Sequence, residues 1–166
     1  MRMRSLLIGV AIAAIAVTQP LGATTDTKNL TINATVSAAA KLTVSTATLT
    51  FPSADPDGVP SIPATEGVVN ITTKARTGAA ATVTLTLKAD ADLTSGSDTI
   101  AVSNITWTAG GAGFVAGTMS ATAQISVASW TGSGSRAGTQ TFALANSWDY
   151  PAGNYSATAV YTLTAP

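Results

Sequence analysis

Apolar and polar residues alternate with a period of two along most of this chain. Leu30, Ile32, Ala34 and Val36 are interleaved with Thr31, Asn33 and Thr35, the pattern of a strand with one buried and one wet face. Residues 42–44 and 49–51 are shorter pieces of the same kind. Pro52, Pro56, Gly58, Pro60 and Pro63 then mark a long loop, since proline cannot donate to a ladder and glycine relaxes the backbone. Val69 and Ile71 mark a fourth strand. Val83, Leu85 and Leu87, set between Thr82, Thr84, Thr86 and Lys88, give the clearest strand of all.

The second half continues in short pieces. Ile100 and Val102 share one parity, Ile105 and Trp107 the other, so a bulge or bend is expected at Ser103 and Asn104. Gly110, Gly111, Gly113 and Gly117 form a turn. Met119, Ala121, Ala123, Ile125 and Val127 alternate with polar residues, and residues 131–135 turn the chain into a strand at 140–144 with Phe142 and Leu144 inward. Pro151, Gly153 and Asn154 feed a last strand. Its inward face carries Tyr155, Ala157, Ala159, Tyr161 and Leu163, and its outer face Ser156, Thr158, Thr162 and Thr164. This strand finishes almost at Pro166 and is expected to form an uncovered edge. Eight or nine strands without a 3.6-residue apolar period predict an all-β, immunoglobulin-like antiparallel β-sandwich.

The first residues follow a different pattern. Arg2 and Arg4 precede an apolar run of twelve residues, 6–17, and Pro20, Leu21, Gly22 and Ala23 break it. Twelve residues fall short of the roughly 20 that span a bilayer as a helix and suit the apolar core of an export leader. Residues 1–23 are therefore expected to be a cleavable signal peptide and residues 24–166 the domain, secreted through a periplasm to the cell surface or an extracellular filament.

Composition narrows the function. Of 166 residues, 46% are hydrophobic but only 5% aromatic, so the core must be built from small side chains. Charged residues are 10%, against a usual figure of roughly 25%. The formal net charge is zero and the basic residues beyond the leader, Lys28, Lys41, Lys74, Arg76, Lys88 and Arg136, are scattered. No nucleic acid is expected as a partner, because phosphate binding needs a clustered cationic surface. Cysteine is absent, so no disulfide stabilises this domain.

The opening NLTINATVSAAAKLTVSTATLTF and the closing Pro151-Ala152-Gly153-Asn154-Tyr155, followed by Ala157-Thr158-Ala159-Val160-Tyr161, resemble the two ends of a spore-coat-U-type, pilin-like domain. Such families often carry a cysteine just after the first strand. Ala38, Ala39 and Ala40 stand there instead, and the family disulfide is missing. The resemblance implies a fimbrial or coat subunit that lacks a final strand and accepts one from a neighbour. Its partners would be copies of itself or related subunits, with a periplasmic chaperone and an outer-membrane usher. An open apolar edge completed by a donated strand is β-augmentation. Leu30, Ile32, Ala34 and Val36 are the donor candidates; the alternative is that they form an ordinary first strand.

Chemistry is sparse. Without His or Cys, the usual general base, thiolate nucleophile and transition-metal ligands are missing, and no enzyme activity, cofactor or small-molecule substrate is expected. Asp55 with Asp57 and Asp90 with Asp92 are the only close carboxylate pairs; each is either a hard-cation ligand set or a solvated turn. Trp107 is expected in the core. Trp130, Trp148 and Tyr150 stand beside turns, as glycan-stacking rings of a self-complete binding module or as caps on the sandwich. Tyr155 is a candidate tyrosine corner.

Overall fold

The computed structural model describes Gly22 and residues 24–166. Its ten strands are β1 (Ala39–Val44), β2 (Ser61–Arg76), β3 (Thr82–Ala89), β4 (Leu93–Ser95), β5 (Asp98–Ile100), β6 (Ile105–Gly110), β7 (Gly117–Thr118), β8 (Ile125–Thr131), β9 (Gly134–Ala145) and β10 (Ala159–Thr164). The fold is all-β, and every strand pairing is antiparallel. One sheet has the order β1-β2-β9-β6-β7, a second the order β10-β3-β8, and β4 with β5 forms a separate hairpin.

The chain divides into two units, Met1–Ala34 and Thr35–Pro166. All ten strands belong to the second. In the first, the described residues 24–34 form no strand and are exposed. The expected leader, residues 1–23, lies outside the described residues apart from Gly22.

Alternation decides which side chains meet. Val69 and Ile71 of β2, Ile105 and Trp107 of β6 and Phe142 of β9 join Leu85, Leu87 and Ala89 of β3 and Val127 of β8 in one core. Aliphatic residues fill most of it, and the rings of Trp107 and Phe142 meet at 5.9 Å, tilted by 47°. Trp107 Nε1 donates to the Val115 carbonyl at 3.0 Å, so the indole is buried without an orphaned donor. Glycine is needed where the backbone crowds one of these rings: a Cβ on Gly117 would fall 2.4 Å from the Trp107 ring.

Several expected elements change. Residues 30–36 are not a strand: Leu30, Ile32 and Val36 are 84%, 83% and 68% exposed, and alternation makes a strand only where a ladder exists to join. Residues 49–51 also lack a strand. The Thr50 amide donates to Glu66 Oε2 at 2.8 Å and its carbonyl accepts from the Thr65 amide at 2.9 Å, which holds the segment extended beside β2. The expected loop ends early, because β2 starts at Ser61 and absorbs Pro63 at a register shift between Pro63 and Val68. The strand expected over 119–127 begins only at Ile125. Before it, Ser120 Oγ accepts the amides of Thr122 at 3.2 Å and Ala123 at 3.0 Å, and a local turn displaces the ladder. The bend at Ser103 and Asn104 is a 3-10 turn, Val102–Asn104.

Candidate functional site

Of the four outer strands of the two larger sheets, β8 is bridged to residues 113–115, whereas β1 and β10 lie near one another without a ladder between them. β1 is an outer strand of the larger sheet and β10 an outer strand of the smaller. Their Cα atoms approach within 8 Å, yet no ladder joins them. They run in opposite senses: β1 starts opposite Arg76, and β10 ends opposite Thr84, just past the turn that follows Arg76. Thr77 Oγ1 donates to the Pro166 carbonyl, fastening the end of β10 to the end of β2.

The gap has an apolar floor. Leu42 and Val44 of β1 sit opposite Thr73 and Ile71, and so on the inward face. Tyr161 and Leu163 of β10 face inward opposite Leu87 and Leu85. Together with Leu49 and Phe51, these residues pack against the core while staying only partly buried. Each β-strand paired on one side leaves alternate N–H and C=O groups pointing outward. An extended segment laid along β10 would meet both kinds of surface at once.

Tyr161 anchors the floor. Its hydroxyl donates to Gln140 Oε1 across the core, and burial pushes the phenol well above its ordinary pKa. Gln140 is fully buried, with Nε2 unpartnered. The sequence carried a signal for it: Gln140 shares parity with Phe142 and Leu144, so a polar residue occupied an inward position. Leu42, Val44, Leu49 and Phe51 were legible as strand residues but not as the lining of an edge, because β1 and β10 lie in different sheets and approach only in the tertiary fold, while Leu49 and Phe51 flank Thr50, which is held beside β2.

The expected site residues are distributed as follows. Of the C-terminal set, Ala159, Tyr161 and Leu163 lie on β10. Tyr155 and Ala157 precede it, in a segment whose contact with β4 is the bridge between Ser156 and Thr94. Tyr155 Oη donates to the Pro151 carbonyl at 2.8 Å, making the corner expected of it. The donor candidates Leu30, Ile32, Ala34 and Val36 are all exposed.

The three ring candidates do not form one platform. Trp130 lies at the end of β8, near the Arg76 end of β2, with the Arg136 guanidinium 5.9 Å over its ring. Trp148 follows Ala145, which pairs with Ser61 at the other end of β2. Counted along the paired residues 134–145 of β9, that separation is roughly 35 Å at about 3.3 Å per residue. Trp148 is 70% exposed, its Nε1 donating to Asp57 Oδ1 at 3.1 Å, and Tyr150 is half-buried close by in sequence.

The carboxylate pairs are engaged locally. Asp55 Oδ1 accepts the Asp57 amide at 3.0 Å, and Asp92 Oδ1 accepts the Val102 amide at 2.9 Å. Among the described residues, no three Asp or Glu side chains converge on a metal-sized site. Comparison with protein-family models gives no match, and comparison with curated proteins gives none.

Proposed function

We propose that the protein is a secreted structural subunit of a surface filament or coat, an immunoglobulin-like sandwich completed by a strand from another copy. The reading follows the resemblance to spore-coat-U-type, pilin-like domains. One observation carries it: two unpaired edges, β1 and β10, flank a row of apolar side chains that the domain leaves partly bare. Leu30, Ile32 and Val36, alternating and exposed, are complementary to that row.

The energetics fit a donated strand. Burying three branched aliphatic side chains contributes on the order of 5–8 kcal/mol, close to the cost of association and ordering. Backbone hydrogen bonds along β10, each worth about 1 kcal/mol net, supply the surplus. A chain with such an edge needs protection during export, which is the task of a periplasmic chaperone, with an outer-membrane usher as the assembly platform.

Deleting residues 24–36 tests the reading. The expected result is a folded, soluble protein that no longer forms denaturant-resistant polymers. Polymers unchanged by the deletion would overturn it. A second reading, a surface-binding module, keeps only Trp148 with Tyr150, because Trp148 presents an exposed ring held by Asp57. Loss of glycan binding in Trp148→Ala with assembly intact would favour that module.

A further inference from the structure

Charges that look scattered along the chain are sorted by the fold. Lys41 and Lys74 are direct cross-strand partners on β1 and β2, and with Thr43 and Thr72 they line an open depression of about 220 Å³. Arg76 is two residues further along the same face, its Nε donating to the Ser37 carbonyl at 2.7 Å. None of the elements around this end carries an acid: residues 35–54, 67–89, 125–148 and 159–166 contain no Asp or Glu.

The opposite end is acidic. Asp55 and Asp57 lie in the loop that leads into Ser61, and Asn146 Nδ2 ties that loop down through the Ala54 and Val59 carbonyls at 3.1 and 3.0 Å. Asp149 adjoins Trp148, which bonds to Asp57. Asp90 and Asp92 follow β3 at this end. Within Thr35–Pro166, Lys88 is the one cation that departs from the sorting.

These two groups of charges cannot relieve one another within a molecule. From Ser61 to Lys74 is roughly 33 Å, counted along the paired residues 135–145 of β9, about three Debye lengths at 0.1 M salt. Among the described residues the only ion pair is Lys28 with Asp26, at 3.8 Å. Like charges directly opposite across a ladder are destabilising, and no Asp or Glu in the surrounding segments 35–54 and 67–89 offsets this for Lys41 facing Lys74.

We propose that the two ends are complementary docking faces, the Lys41, Lys74 and Arg76 face of one copy receiving the Asp55, Asp57 and Asp149 loops of the next. The proposal shares with the assembly reading the premise that copies associate; it rests on charge, not on the open edge. A contact between opposite ends is heterologous, and repeated without closure it propagates as a filament. Trp148 stands among the carboxylates as an aromatic anchor at the contact. Long-range attraction of this kind sets the rate and orientation of encounter, so the end faces would align two subunits before a strand is exchanged.

The test is assembly kinetics of the whole protein followed by light scattering. The rate is expected to fall at least tenfold between low and high salt, and to fall similarly in Lys41→Glu with Lys74→Glu at low salt. Asp55→Lys with Asp57→Lys should be equally slow alone, and an equimolar mixture of the two variants should recover the rate. Circular dichroism checks that each variant is folded. A rate indifferent to salt, or charge-reversed variants that assemble like wild type, overturns the proposal. So does a lysine variant that loses heparin binding but assembles normally, since the face would then serve a soluble polyanion. Normal charge-variant kinetics with failed polymers on deletion of residues 24–36 would remove the docking faces and leave strand addition standing; the converse pattern would do the reverse.

Discussion

β3 and β10 are neighbours with the same alternating sequence pattern and opposite fates. In β3, Val83, Leu85, Leu87 and Ala89 are between 0% and 2% exposed. In β10, Tyr161 and Leu163 point to the same side but stay half-buried, and Ala159 is exposed. The difference is not hydrophobicity but neighbours: β3 is flanked by β10 and β8, whereas β10 is flanked by β3 alone. Period-two patterning tells which face is apolar, and only sheet position tells whether that face is sealed.

The contrast can be broken first in the sealed strand. Leu85→Ala should destabilise the domain by about 2–5 kcal/mol, read by chemical denaturation, with polymers reduced only because less protein is folded. Tyr161→Phe should cost about 1–3 kcal/mol, since it strips Gln140 of its remaining side-chain partner. Adding Gln140→Leu to Tyr161→Phe should recover most of that loss, because both polar partners are then gone.

The same tyrosine predicts a pH dependence. Its pKa is raised in the folded state, so as pH climbs above about 10, the ordinary phenol value, the unfolded chain loses its proton first. Stability is then expected to be level below that pH and to fall above it. Tyr161→Phe should make the fall shallower, as measured by thermal melts across the alkaline range.

Smaller effects sharpen the comparison at the edge. Leu163→Ala is expected to cost about 1 kcal/mol in the monomer, as a half-exposed side chain, yet to weaken polymer formation strongly if a partner strand lies on it. Val160→Thr, on the outer face, should move stability by less than about 0.5 kcal/mol.

Much of this was legible from residue order. The alternation at 82–88 became β3 over nearly the expected span, the parity change around Ser103 marked a real turn, and Tyr155 formed its corner with Pro151. The failures share a cause. Residues 30–36 and 119–123 alternate as well as β3 does, but the first meets no ladder among the described residues, and the second is captured by Ser120 hydrogen bonds. The β4–β5 hairpin was missed because strands of three residues have too few positions to show a period. The edge lining was half visible: Tyr161 and Leu163 could be placed on an inward face, but the approach of β1, with Leu42 and Val44, to β10 could not be foreseen.

Local order thus determined the strand class, the inward parity and the absence of His and Cys chemistry, because each depends on residues a few positions apart or on composition alone. Tertiary structure decided the rest. It put Lys41 against Lys74 across 33 positions of chain, parted Trp130 from Trp148, and left β1 and β10 as unpaired edges. Those outcomes follow from which strands become neighbours, a long-range choice set by the whole core.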